Sequence, residues 1–283
     1  GIKNGKSIMY YDNGQLMYDF NYVNGKREGL NVSYYANGQI EIKYKYFNDQ
    51  KHGECIEYNE NGQIERRYNY FNDDRHGECI EYYEDGKLMC VHNYFNDKQH
   101  GECIDYYDDG NLMRIRNYVN DQKHGECLEY YEETGLTALD GQMEYKYNFV
   151  YDEKHGECIE YYKTGHMRCK GNFEYGQKNG EFTTYYDDTG HVKSSHTFVN
   201  GKRHGICIDY YPSNQLHSHY HYVNDVPHGE CTTYTEEGEI ESRNNYNNGS
   251  VGFTYIIESF MLGEQKVTRY INVAESINAM QQP

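Results

Sequence analysis

The chain has 283 residues, with 35 tyrosines, no tryptophan, 3 prolines and a mean hydropathy of −1.05. So few aliphatic residues argue against a deep globular core, and so many aromatics argue against disorder. A formal charge of −18 at pH 7 disfavours nucleic acid, whose phosphates are held by Lys and Arg, and disfavours an anionic membrane surface for the same reason.

Read from its first residue, the chain opens on "GIKNGKS", which looks like the middle of a repeat, so an upstream segment is expected. "NDQKHGECIEY" at 48–58 then returns as "NDDRHGECIEY" at 72–82, "NDKQHGECIDY" at 96–106 and "NDQKHGECLEY" at 120–130. The marker glycines are Gly5, Gly29, Gly53, Gly77, Gly101 and Gly125. They continue with small indels at Gly156, Gly180, Gly205 and Gly229. Self-similarity at such a period marks a repeat array.

One unit, "GECIEYYEDGKLMCVHNYFNDKQH" at 77–100, reads as a strand, an "EDG" turn, a second strand rich in β-branched and aromatic residues, and a polar closing turn. The expected fold is all-β: an elongated single-layer antiparallel sheet built from about ten 24-residue β-hairpin repeats over 1–262. Residues 132–138 lengthen one hairpin tip, and 263–283 form a cap or tail where the pattern fails.

Column by column, the marker glycines Gly53, Gly77, Gly101, Gly125, Gly156, Gly205 and Gly229 and the tyrosines Tyr58, Tyr82, Tyr106, Tyr130 and Tyr161 are the structural residues of the repeat. The isoleucine column that starts at Ile56, the Tyr58 column, the Ile64 column and the Tyr70 column are expected on one apolar face. The thiols would lie on the other face with Phe47, Phe71 and Phe95. Hairpin tips are acidic, whereas the opposite turns carry the histidines and most basic residues.

Seven of the nine cysteines share one column: Cys55, Cys79, Cys103, Cys127, Cys158, Cys207 and Cys231. Neighbours two strands apart lie roughly 9.5 Å from each other, beyond the ~7 Å a disulfide spans. Unpairable thiols point to a reducing, cytoplasmic setting. His52 with Cys55, and the equivalent pairs, offer zinc-competent donors, but successive repeats are too far apart to complete a tetrahedron. The histidine is therefore read as a turn residue and the cysteine as a small buried apolar one. Seven equivalent thiols likewise argue for packing over catalysis, which needs one asymmetric pocket. No catalytic residue, metal ligand or cofactor is expected.

"NGKRHGICIDYYPSNQL" at 200–216 and "NDDRHGECIEYYEDGKL" at 72–88 resemble the MORN repeat. They look most like the variant of YwqK-type antitoxin proteins and of proteins of large DNA viruses. The resemblance covers about residues 1–255 and implies a β-sheet ribbon that scaffolds or binds protein. The expected function is a non-enzymatic scaffold or protein-protein interaction module with protein partners and possible self-association. The alternative is an antitoxin-like immunity protein that neutralises a cognate toxin by direct binding. Within the long tip, Thr134, Leu136, Thr137 and Leu139 are the candidate partner contacts.

Overall fold

The computed structural model describes residues 1–132, 141–262 and 265–272, so Thr134, Leu136, Thr137 and Leu139 lie outside the described residues. Among the described residues every regular element is a β-strand. The chain divides into two compact units, Gly1–Gln142 with Phe149–Asp152, and Met143–Asn148 with Glu153–Pro283. Each unit is an antiparallel layer of consecutive hairpins, as the repeat predicts.

One repeat shows why. Strand Gly77–Tyr82 pairs with Leu88–Phe95, from Gly77↔Tyr94 through Ile80↔Val91 to Tyr82↔Leu88. The tip between them is a three-residue loop. Gly86 N–H donates to the Tyr83 carbonyl at 2.9 Å, and Tyr83 N–H donates to that of Lys87 at 2.8 Å. Gly86 sits at φ 85°, the left-handed conformation that a loop of this kind needs in its last residue.

The other turn is shorter than the sequence suggests. Phe95 pairs directly with Lys98, leaving only Asn96 and Asp97, at φ 51° and 64°. Two consecutive left-handed residues make the hairpin turn whose twist matches the flanking strands, and Asn and Asp tolerate it best after glycine. The expectation that the histidine belongs to a turn is therefore corrected. His52 lies inside strand Gln50–Tyr58, after the turn has closed. Tyr46 pairs with Lys51 and Tyr44 with Cys55, so His52, Gly53 and Glu54 bulge opposite Lys45 alone. The marker glycine, at φ 88° in Gly53, is the left-handed residue of that bulge.

A second bulge follows each tip and corrects the assignment of faces. Tyr82 opposes Leu88, but Glu81 opposes Cys90, so Met89 is the extra residue. One inserted residue reverses parity along the rest of the strand. Tyr94 then shares its face with Cys79 and His92, and Phe95 faces the other way. The Tyr70 and Phe71 columns thus exchange the places expected of them. Ring contacts agree: Phe182, which stands at the cysteine column, meets Phe173 at 5.3 Å and Phe198 at 5.6 Å, both members of the Tyr70 column.

The thiol face is the better buried one. Cys55, Cys79, Cys158 and Cys207 are 1–3 % exposed and Tyr46 6 %, whereas the isoleucine column is only half-buried. Along that face small and large residues alternate. Cys55 lies between Tyr44 and Tyr68, and Cys207 between His196 and Tyr220. A thiol is small enough to let bulkier neighbours lean over it, which accounts for the column without chemistry. The pair Gly171 and Phe182 reverses the order of sizes. A Cβ on Gly171 would stand 2.6 Å from the Phe182 ring.

The last described hairpin departs from the repeat. Ser250–Leu262 runs 13 residues and pairs with Gln265–Asn272 from Tyr255↔Asn272 to Leu262↔Gln265.

Candidate functional site

Both edges carry hydrogen bonds between repeats in addition to the sheet ladder. At the tip edge the second tyrosine of seven "YY" pairs donates its hydroxyl to a backbone carbonyl one repeat on. Tyr35 reaches the Tyr58 carbonyl at 2.7 Å, Tyr83 that of Tyr106 at 2.7 Å and Tyr107 that of Tyr130 at 2.9 Å. Tyr11, Tyr162, Tyr186 and Tyr211 do the same.

At the opposite edge the aspartate of the two-residue turn accepts from the preceding repeat. Asp97 Oδ1 takes the Arg75 backbone N–H at 2.9 Å and its Nε–H at 3.1 Å. The Arg75 guanidinium also lies 4.1 Å over the Tyr94 ring. Arg27 with Asp49 and Tyr46, and Arg203 with Asp225 and Tyr222, repeat the arrangement. Hydrogen bonds from Arg75 hold the Asp97 carboxyl below its ordinary value.

This second edge is also where apolar rings meet solvent. In the first unit Phe47, His52, Phe71, His76, Phe95 and His100 form an alternating ladder with centroids 5.0–6.0 Å apart. Phe47, Phe71 and Phe95 are 61 %, 51 % and 49 % exposed. Nδ1 of His52 and His76 is buried without a hydrogen bond, so these histidines contribute a ring face rather than polar contacts. In two of the repeats that lack the phenylalanine, Tyr151 and Tyr175 stand at the adjacent turn position, where the repeats of Val119, Val199 and Val223 carry asparagine. Tyr151 meets His124 at 4.9 Å in a tilted contact and Tyr175 meets His155 at 5.0 Å edge-on, from left-handed φ of 48° and 46°. Aromatic side chains rarely adopt that conformation, so the ring contact is kept at the cost of backbone strain.

The marker glycines and first tyrosines of the repeat lie at its bulges and strand ends. Gly53, Gly77, Gly101, Gly125, Gly156, Gly205 and Gly229 all have positive φ, from 76° to 95°. Tyr58, Tyr106 and Tyr130 supply the carbonyls that the tyrosine hydroxyls reach, while Tyr82 opposes Leu88 and Tyr161 opposes Met167. All nine cysteines are free. Column members have an intervening strand between them. Burial pushes the Cys55 and Cys79 thiols up to about 12 and Cys158 up to about 11, opposite to what a nucleophile needs.

Another set of side chains was not anticipated. Cys90, directly opposite Asp105, and His92, two residues on, share the thiol face. Among the described residues theirs is the one group of three metal-competent donors whose ligand atoms all lie within 4.8 Å of one another. His92 Nε2 is 2.8 Å from Asp105 Oδ1, and Arg114 Nε donates to Asp105 Oδ2 at 2.5 Å. The hydrogen bond to Asp105, and then that to Cys90, raise His92 to about 9. Burial raises the Asp105 carboxyl, but the bonds from His92 and Arg114 outweigh it and leave it below its ordinary value. The signal in the sequence was "CVH" at 90–92, a period-2 pair outside the cysteine column, with an aspartate at the cross-strand position one repeat later.

No helix among the described residues is long and apolar enough to cross a membrane. No curated protein matches the chain. Among solved structures, the Tc holotoxin pore of Photorhabdus luminescens matches at 13 % identity and a TM-score of 0.23, covering 94 % of this chain and 16 % of that one. A porin-like protein of Bacteroides uniformis matches at 11 % identity and a TM-score of 0.14, covering 94 % and 95 %. The chain thus spans about a sixth of the length of the first of these structures, 16 %. Superpositions this poor carry no argument about function. The profile of the MORN repeat variant is another matter. It matches residues 3–24, 27–48, 51–72, 75–96, 99–120, 154–175, 203–224 and 227–248. With its two-residue Asn–Asp turns, its left-handed marker glycines and its tyrosine pairs accounted for residue by residue, the chain belongs to the MORN repeat variant family.

Proposed function

We propose that the chain is a non-enzymatic scaffold that binds protein through its histidine-bearing edge. One observation carries this reading: Phe47, Phe71 and Phe95 recur every 24 residues, each about half exposed, on a ladder of histidine rings. A row of exposed rings at repeat spacing is the kind of surface that a protein partner covers, and aromatic side chains dominate such contacts. Arg27 and Arg75 beside the row, each paired to an aspartate, add a polar rim. The charge of −18 argues against nucleic acid as the partner. Against a thiol enzyme stand the raised cysteines and their repetition.

The test is a cross-linked pull-down from the native source, read by mass spectrometry. It compares the intact chain, a variant with residues 132–138 deleted, and the triple variant Phe47→Ser, Phe71→Ser, Phe95→Ser. Several structural partners, or the chain itself, lost only in the triple variant, support the scaffold and its edge. Capture that is unchanged in the triple variant but lost on deletion of 132–138 moves the contact to the long tip. A single stoichiometric partner carrying toxin-like catalytic residues replaces the scaffold with the immunity reading.

A further inference from the structure

We propose that Cys90, His92 and Asp105 form a binding site for one divalent transition-metal ion of the zinc class, clipping strand Leu88–Phe95 to strand Gly101–Tyr106 of the next repeat. The three residues offer a thiolate, an imidazole and a carboxylate, a donor set suited to zinc or cobalt and poor for the hard ions magnesium and calcium. Strand geometry brings them together. Cys90 and Asp105 are direct cross-strand partners, and His92, two positions on, leans over the same face. Their ligand atoms already lie within 4.8 Å of one another. A tetrahedral ion at its usual bond lengths sets such atoms roughly 3.3–3.6 Å apart, close to the spacing already present.

Two further features fit. Arg114 Nε bonds Asp105 Oδ2, leaving Oδ1 toward His92. An outer hydrogen bond of this kind orients a ligating carboxylate. Beside the donors a groove of about 330 Å³, lined in part by Tyr83, Met89 and Met113, opens to solvent and leaves room for water as the fourth ligand.

The repeat contains its own comparison. His196 Nε2 lies 2.9 Å from Asp209 Oδ1, reproducing the histidine–aspartate pair, but serine stands at 194 where cysteine stands at 90. Cys169 is the equivalent cysteine three repeats on, but its partner in the following repeat is Thr184, where Cys90 has Asp105, and the residue two positions later is Gly171 instead of histidine. The three donors coincide at one place. Serine at the equivalent positions 194, 218 and 242 also shows that Cys90→Ser is compatible with the fold.

Titration of the reduced full chain with Co²⁺ alone tests the site, at mildly alkaline pH because the ligands must be deprotonated. A thiolate-to-cobalt charge-transfer band that saturates at one ion per chain, and that Zn²⁺ bleaches, is expected. Cys90→Ser should abolish the band. His92→Gln and Asp105→Asn should each weaken Co²⁺ binding at least tenfold. His196→Gln should leave it unchanged, with circular dichroism confirming the fold of every variant. Absence of the band in the wild-type chain, or its survival in folded Cys90→Ser, overturns the proposal.

Discussion

Asn59 interrupts the tyrosine rungs of the tip edge, and repairing it measures what a rung contributes. Tyr11 and Tyr35 precede it and Tyr83 and Tyr107 follow, each hydroxyl bound to a carbonyl of the next repeat at 2.7–2.9 Å. Asn59 instead turns to its own loop, where Oδ1 accepts the N–H groups of Asn61 and Gln63 at 3.0 Å. A groove of about 300 Å³ is left between Asn59, Ile64, Tyr82, Tyr83 and Met89. In Asn59→Tyr the new ring has room to lie in that groove and donate to the Tyr82 carbonyl. The loop loses one cap but has another at hand. Asn61 stands where Asn13 and Asn37 stand, and those accept from Gln15 and Gln39 at 3.0 and 2.9 Å. A net hydrogen bond is worth about 0.5–1.5 kcal/mol, so Asn59→Tyr should stabilise the chain by about 1 kcal/mol over Asn59→Phe, which fills the groove without the hydroxyl. Tyr83→Phe should lose a similar amount, about 1 kcal/mol. Urea unfolding of all four proteins gives these differences. Hydrogen exchange around residues 58–83 should locate the gain, since stability in a repeat array is summed from neighbouring interfaces. An Asn59→Tyr variant no more stable than Asn59→Phe would refute the assignment of the hydroxyl as the stabilising group.

The remaining predictions are shorter. Gly171→Ala places a Cβ 2.6 Å from the Phe182 ring and should cost about 1–3 kcal/mol by overpacking. Adding Phe182→Cys, the residue that column carries elsewhere, should restore most of the loss in thermal unfolding. With the Cys55 and Cys79 thiols pushed up to about 12 from an ordinary 9.0, their thiolate fraction near pH 8 falls about a thousandfold. The greater nucleophilicity of a high-pKa thiolate recovers part of this, so native-state alkylation should still run at least about tenfold slower than in urea. Asp97 and Asp225 are held below the ordinary 3.8 by their arginines. Their stabilisation is therefore complete above that value and is lost as pH falls through the lower folded-state value. Asp97→Asn should lower stability slightly at neutral pH and flatten the acid limb of a stability–pH curve, so that its difference from the wild type shrinks as pH falls. A steeper acid limb would contradict the pairing.

The period, the hairpins and the marker glycines were legible because each leaves a chemical trace at a fixed spacing. Gly86 shows a left-handed loop residue, "ND" a tight turn, and alternation a pleated strand. The two faces were misjudged because a bulge leaves no trace in residue type. Met89 is an ordinary strand residue, and nothing in "KLMCVHNYF" marks it as the one that opposes no partner. One unmarked insertion reversed the parity of everything up to Phe95. The second tyrosine was overlooked for a different reason. Its role is to reach a backbone carbonyl 23 residues away, and a column of identical residues does not show whether the ring packs or the hydroxyl bonds.

In an array whose stability comes from identical rungs, the informative positions are those where the rung is altered yet the structure accommodates it. Tyr151 and Tyr175 keep a ring on the histidine edge by moving it one residue along, into a strained conformation. Asparagine, which stands at positions 48, 72 and 96, adopts this conformation at less cost, so the two tyrosine rings are held there against backbone strain. That argues for an outward role of the aromatic edge independent of how exposed Phe47, Phe71 and Phe95 are. Tyr175→Asn should therefore relieve backbone strain and leave the fold at least as stable, while weakening whatever the edge holds. If Tyr175→Asn instead destabilises the chain by more than about 1 kcal/mol, the ring is a packing element and the edge loses its strongest argument for binding.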